Sequence, residues 1–283
     1  MTKLSKPFRQ RITALPWLKK IDIHWLSFNG CVFGNDYWSY DGDPQVGNFR
    51  SQVKKFFRDA QNGHCCYCSV EIDKNARLYD LEHVINSSKR EDLMFELENL
   101  ASSCPQCNVA KLDTQITTKK TRRGSRLPLE SSQYLLVHPH LDEWDAHFSF
   151  DKFGRIIPSS TSEKGKFTFN LCNMENRNIA RLARYFKFPY RSNVELLLSD
   201  LYAQVNPKRA EQLKALKKIA DTISSPDTQA VIKIVENDLS IIKLLPPKYS
   251  SPIGQHWSGK GAKPKWVQDI LSKGGTLKPF ENY

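Results

Sequence analysis

Apolar residues recur with a helical period from Asn193 to Leu245. Val194, Leu196, Leu197, Leu201 and Val205 form one set, Leu213, Leu216, Ile219 and Ile223 a second among lysines, and Val231, Ile232, Ile234, Val235, Leu239 and Ile242 a third. Pro207 and Pro226 interrupt the pattern, since proline lacks an amide hydrogen and clashes with the preceding turn. Three amphipathic helices are predicted, forming a small bundle or a spacer. Their apolar faces read as core, with dimerisation as the alternative.

Phe49–Ala60 carries Val53, Phe56 and Phe57 among Arg50, Lys54, Lys55 and Arg58, which predicts a helix with one basic face, ended by Gly63. Arg77–Val84 alternates like a strand, and Pro105–Leu112 has the form of a short helix. Earlier in the chain, Trp17–Leu26 mixes strand-like alternation with aromatics, and Gly30, Gly34, Gly42 and Pro44 punctuate what reads as a loop-rich passage.

The candidate chemistry runs from Cys65 to Lys111, a stretch that includes the predicted strand and short helix. Cys65-Cys66-Tyr67-Cys68 and Cys104-Pro105-Gln106-Cys107 are two C-x-x-C knuckles at a separation suited to a tetrahedral zinc site. Cys65, Cys68, Cys104 and Cys107 are the expected ligands of a structural Zn2+, because four thiolates leave the metal no open position. Cys66 is expected to pack as a small apolar group, while Cys31 and Cys172 are isolated, a usage that suits a reducing cytoplasm.

Charge adds a partner. A net charge of +12 and a pI near 9.3 point to a polyanion, nucleic acid first. The charged N-terminus has no apolar stretch of the secretory type, and no apolar run is long enough to span a bilayer.

Glu82-His83, Asn99-Leu100 and Cys107-Asn108-Val109-Ala110-Lys111, set within the two knuckles, resemble the zinc-stapled HNH endonucleases. The resemblance covers about a fifth of the chain. It implies an α+β fold with a ββα-metal core: a strand with Glu82 and His83, a return through Asn99, and a helix with Asn108. It also implies His83 as general base, Asn99 as a positioning residue, Glu82 and Asn108 as ligands of a catalytic Mg2+ or another divalent cation, and Lys111 on phosphate. Glu82 replaces the commoner aspartate.

From His138-Pro139-His140 through His147-Phe148 and Gly165-Lys166 to Asn178–Arg184, the chain is similar to the extension of a bacterial HNH subfamily. That subfamily includes the nuclease subunit of Septu anti-phage systems and also carries Glu-His. Pro139 breaks any face shared by His138, His140 and His147, which argues against a second metal site. Thr117–Arg126 is a basic loop whose Lys119, Lys120, Arg122, Arg123 and Arg126 suit phosphate contact.

The tail, with His256-Trp257-Ser258-Gly259, Lys260-Gly261-Ala262-Lys263-Pro264-Lys265-Trp266 and Pro279-Phe280, resembles the C-terminal DNA-binding domain of H-NS. In that family a loop enters the minor groove of AT-rich DNA. Ala262 replaces the family arginine here, leaving Lys260, Gly261, Lys263 and Lys265 as the DNA contacts.

The expected organisation is an N-terminal segment (1–48), a nuclease domain with its extension (49–190), a helical bundle or spacer (191–245) and an H-NS-like domain (246–283). The expected protein is a bacterial cytoplasmic, nucleoid-directed DNA endonuclease or nickase in anti-phage defence, with duplex DNA and other defence components, such as an ATPase, as partners. A catalytically inactive zinc-containing DNA-binding protein and an RNase are the alternatives.

Overall fold

The computed structural model describes residues 11–72, 79–112, 114–203, 205–242, 249–251, 255–257 and 263–281. The chain divides into two compact units, Met1–Asn178 and Ile179–Tyr283.

In the first unit, α1 (Ile23–Phe33) begins where Asp22 accepts a hydrogen bond from the Trp25 amide. This corrects the strand-like reading of the Trp17–Leu26 stretch. From Ile23 onward the residues belong to a helix that buries Leu26, Asn29 and Gly30 and leaves Trp25, Phe28 and Val32 exposed, so the sequence has no polar face to mark the period. The passage punctuated by Gly30, Gly34, Gly42 and Pro44, expected to be loop-rich, is mostly helical, with Gly30 inside α1, Gly34–Ser39 a 3-10 helix and Pro44 at the start of the next helix. Gly30 packs closely inside this helix, where a Cβ would lie 3.3 Å from the Phe95 ring.

Helix α2 (Pro44–Ala60) has Asp43 as N-cap and Pro44 in its first turn, and it buries Val46, Phe49, Val53 and Phe57 along one stripe. Strands β1 (Asp80–His83) and β2 (Leu100–Ser103) pair antiparallel, with Glu82 opposite Ala101 and His83 opposite Leu100. All four β2 residues are buried. At the end of α2 the Gln61 carboxamide pairs with the backbone of Ser102, donating to its carbonyl and accepting from its amide, both at 2.8 Å.

Helix α3 (Pro105–Lys111) starts at the second knuckle with proline in its first turn. A two-stranded ribbon of β3 (Phe148–Phe150) and β4 (Ile156–Pro158) follows, then α4 (Glu163–Leu171) and α5 (Met174–Ala183). Trp144 fills the core beside Phe148 and donates its indole N–H to the Tyr67 carbonyl.

The second unit contains α6 (Arg191–Tyr202), α7 (Arg209–Ile223) and α8 (Pro226–Ile241), packed in consecutive pairs. Val194, Leu198, Leu201, Leu216, Ala220, Val231, Ile232 and Val235 form the buried seam. The short strands β5 (Tyr249–Ser250) and β6 (His256–Trp257) pair, Tyr249 stacks on Trp257, and α9 (Lys265–Ser272) buries Val267. Among the described residues, no helix is long and apolar enough to cross a membrane.

Candidate functional site

The two knuckles converge. The sulfurs of Cys65, Cys68, Cys104 and Cys107 all lie within 4.8 Å of one another, and all four residues are buried. Cys68 Sγ and Cys104 Sγ are 3.7 Å apart. That is far beyond a disulfide bond, and it matches the edge of about 3.8 Å expected for a tetrahedron of sulfurs each about 2.3 Å from zinc. The donor set and its spacing therefore fit Zn2+. Cys66 is buried outside this set, as expected. Cys172, isolated in sequence, is buried beside Cys107.

Beside the knuckles, β1 and α3 enclose a charged pair. Glu82 is 1% exposed, and its Oε1 accepts from the Tyr67 hydroxyl at 2.9 Å and lies 3.1 Å from Lys111 Nζ. Burial pushes the Glu82 pKa up to about 7, against the opposing pull of Lys111 and Tyr67. Among the described residues, its Oε2 is buried with no hydrogen-bond partner. Lys111, expected on phosphate, is only 2% exposed and also donates to the Val84 carbonyl. The reason is its place on α3, whose last turn faces β1, so the side chain meets an internal carboxylate instead of solvent.

His83 follows Glu82, and the strand pleat turns it toward other neighbours. Its ring packs against Trp38 with centroids 4.4 Å apart, and Nε2 is 3.0 Å from the Met94 carbonyl. A carbonyl only accepts, so Nε2 carries the hydrogen, and in the neutral ring Nδ1 keeps the lone pair. Burial, helped by the nearby Lys111 charge and opposed by the bond to Met94, lowers the His83 pKa to about 4.

Asn99 is wholly buried and fastens the chain between the strands. Its Oδ1 accepts from the Ile85 amide at 2.8 Å, while Nδ2 donates to the carbonyls of Ile85 and Leu93 at 3.0 and 3.1 Å. Leu93 precedes the residue that holds His83, so this amide sets the height of the Met94 carbonyl. Asn108, on α3, donates to Asp80 Oδ2 at 3.0 Å, which leaves its amide oxygen as the unused acceptor.

Among the described residues no hydrogen bond joins Glu82, His83 and Asn108 to one another. Lys111 is their common neighbour. It lies on Glu82, it depresses His83, and it sits on the same helix as Asn108. The unpartnered Glu82 Oε2 and the Asn108 oxygen are hard donors of the kind a divalent cation takes.

Tyr67, Asp80, Trp38 and Arg177 were not singled out in the sequence. Tyr67 lies inside a knuckle, and Asp80 shares the Glu82 face of β1 by the two-residue period, so both carried a local signal. Trp38 and Arg177 carried none.

In the basic loop, Lys119, Lys120, Arg122, Arg123 and Arg126 are exposed. Arg123 pairs with Glu91 and the Cys31 carbonyl. The loop is pinned by buried Arg90, which grips Asp92 and the Ser125 carbonyl, and by the Gly124 amide on Asp92. Of the three histidines, His140 bonds the Leu100 carbonyl, His138 Nδ1 accepts from the His140 amide, and His147 bonds Ser162. In the second unit Lys263 and Lys265 are exposed, whereas Lys260 and Gly261 lie outside the described residues.

The H-NS histone C-terminal domain family matches residues 245–281. This agrees with the reading of the tail. An alignment of 138 residues, covering 43% of this chain, is 25% identical to a Septu protein PtuA of Bacillus mycoides (strain KBAB4). The aligned stretch spans 19% of that relative.

Proposed function

We propose that the protein is a metal-dependent DNA endonuclease or nickase of the HNH type, with β1, β2 and α3 as a ββα-metal core, acting in anti-phage defence. The H-NS-type domain would deliver it to duplex DNA, and the likeness to a Septu protein supports the defence setting. Other defence components, an ATPase among them, are its proposed partners. The carrying observation is His83: Nε2 is committed to the Met94 carbonyl, which fixes the tautomer and leaves Nδ1 with the lone pair, and burial favours this neutral form.

In this mechanism His83 Nδ1 takes the proton from a water that attacks the phosphorus in line. Asn99 holds the Leu93 carbonyl, and so anchors the backbone one residue before Met94, whose carbonyl takes the imidazole Nε2–H. Glu82 Oε2 and the Asn108 amide oxygen would hold Mg2+, while Asp80 keeps the Asn108 amide turned so that its oxygen is available. A bound Mg2+ would supply charge stabilisation to the phosphoryl oxygens and the leaving 3′ oxygen. The tetrathiolate zinc would hold the scaffold and take no part in the chemistry.

The test is cleavage of supercoiled plasmid with Mg2+ by the parent, His83→Ala and Glu82→Ala. Loss in both variants is expected with zinc content retained, the Glu82→Ala rate being taken per folded molecule because that change leaves Lys111 without its buried partner. Equal cleavage by His83→Ala and the parent would sink the mechanism.

A second reading, a zinc-stapled duplex-binding protein without catalysis, is favoured by one observation: Lys111 occupies Glu82 Oε1 and Asp80 occupies the Asn108 amide. It predicts tight duplex binding and no cleavage by any variant. An RNase would instead prefer RNA, and competition between duplex DNA and duplex RNA distinguishes it.

A further inference from the structure

Arg177 comes from α5, seventy-three residues after Cys104, and donates from its guanidinium to Cys104 Sγ at 3.1 Å. The same nitrogen donates to the Gln106 side-chain oxygen, so the arginine bridges a ligand and its knuckle. A guanidinium stays protonated at any physiological pH, so it brings a full positive charge to the sulfur. Asn178, next in sequence, is fixed by bonds to the amide and the carbonyl of Ile156, which holds this end of the segment in place.

Cys104 is also the most accessible of the four sulfur ligands, 5% exposed where Cys65, Cys68 and Cys107 are at 0%. A zinc ion with four thiolates carries a net charge of about −2, and burying it uncompensated is costly. We infer that Arg177 is the charge-compensating guard of the zinc site: it halves the negative charge of the centre and covers the one sulfur through which the metal could be lost. This inference rests on the zinc reading of the cysteines and is independent of the nuclease reading.

A cation hydrogen-bonded to a thiolate withdraws electron density from it and lowers its nucleophilicity. Electrophiles and competing chelators would therefore reach Cys104 faster without Arg177. Outer partners of metal ligands commonly contribute about 10- to 100-fold in metal affinity.

The experiment follows zinc release from the full-length protein with a chromogenic chelator, with and without iodoacetamide, for the parent, Arg177→Ala, Arg177→Gln and Arg177→Lys. Zinc content of the parent is measured first, and a parent without zinc overturns the zinc reading itself. With zinc present, release about tenfold or more faster is expected for Arg177→Ala and Arg177→Gln, with Cys104 the first of the four ligands alkylated. Arg177→Lys, which keeps the charge, should lie closer to the parent. If Arg177→Ala does not fold, the comparison of Arg177→Gln with Arg177→Lys decides. Parent-like release in Arg177→Gln, or first alkylation among the four ligands at a cysteine other than Cys104, would overturn the inference.

Discussion

Lys111 Nζ lies 3.1 Å from Glu82 Oε1 with both side chains almost wholly buried. Removing one partner of a buried ion pair strands the other charge, which costs about 3–5 kcal/mol. Lys111→Met is therefore expected to lower stability by that order in denaturant unfolding. Adding Glu82→Gln to it should recover part of the loss, because the stranded charge is then absent. Additive losses in the double variant would show that the two residues act separately.

Asn99 satisfies three buried backbone groups with one carboxamide. Each group left unpaired costs about 1–3 kcal/mol. Asn99→Ala should lower the urea midpoint strongly and, on the nuclease reading, reduce cleavage by more than the loss of folded protein explains. Rates that simply track the folded fraction would remove Asn99 from the positioning role.

Asp142 provides a pH test. Burial disfavours its charge, but Lys164, Ser131 and the His138 amide more than offset that and hold its pKa below the ordinary value of 3.8. Because the folded state favours the ionised form, the stabilisation is present above the unfolded pKa and is lost as pH falls through the lower folded one. The melting-temperature gap between the parent and Asp142→Asn should thus be wide at neutral pH and close as the solution is acidified below the ordinary carboxylate range. A gap that does not change with pH would contradict the assignment.

If the basic loop contacts DNA phosphates, as its charge suggests, it contributes to the salt dependence of binding. Neutralising Lys119, Lys120, Arg122 and Arg126 together should flatten the dependence of log binding constant on log salt, by up to about 0.9 for each DNA phosphate that these cations cease to neutralise. Arg123 is left out because it is tied to Glu91 and Cys31. An unchanged slope would place the DNA path elsewhere.

What could be read from the sequence was what local spacing encodes. The knuckles announced four sulfurs, and proline after Cys104 announced α3, since each signal spans a single turn. The three helices from Arg191 to Ile241 followed from their apolar period. Helix α1 was illegible because it is apolar on its exposed face as well as its buried one. Lys111 was misplaced because nothing near it in sequence reveals that its helix turns inward onto a carboxylate twenty-nine residues earlier. Trp38 on His83 and Arg177 on Cys104 likewise join distant segments, and no period or spacing records such meetings.

The carboxamide of Gln61 laid along Ser102 has one more consequence. A ribbon of two strands exposes backbone donors and acceptors on its outer margins, an open template for a strand from another molecule. Here the margin at Ser102 is already taken, by Gln61 on the amide and by Gln61 and the Cys66 amide on the carbonyl. The ribbon is thereby closed to growth at that point, and a neighbouring molecule finds no free edge to pair with there.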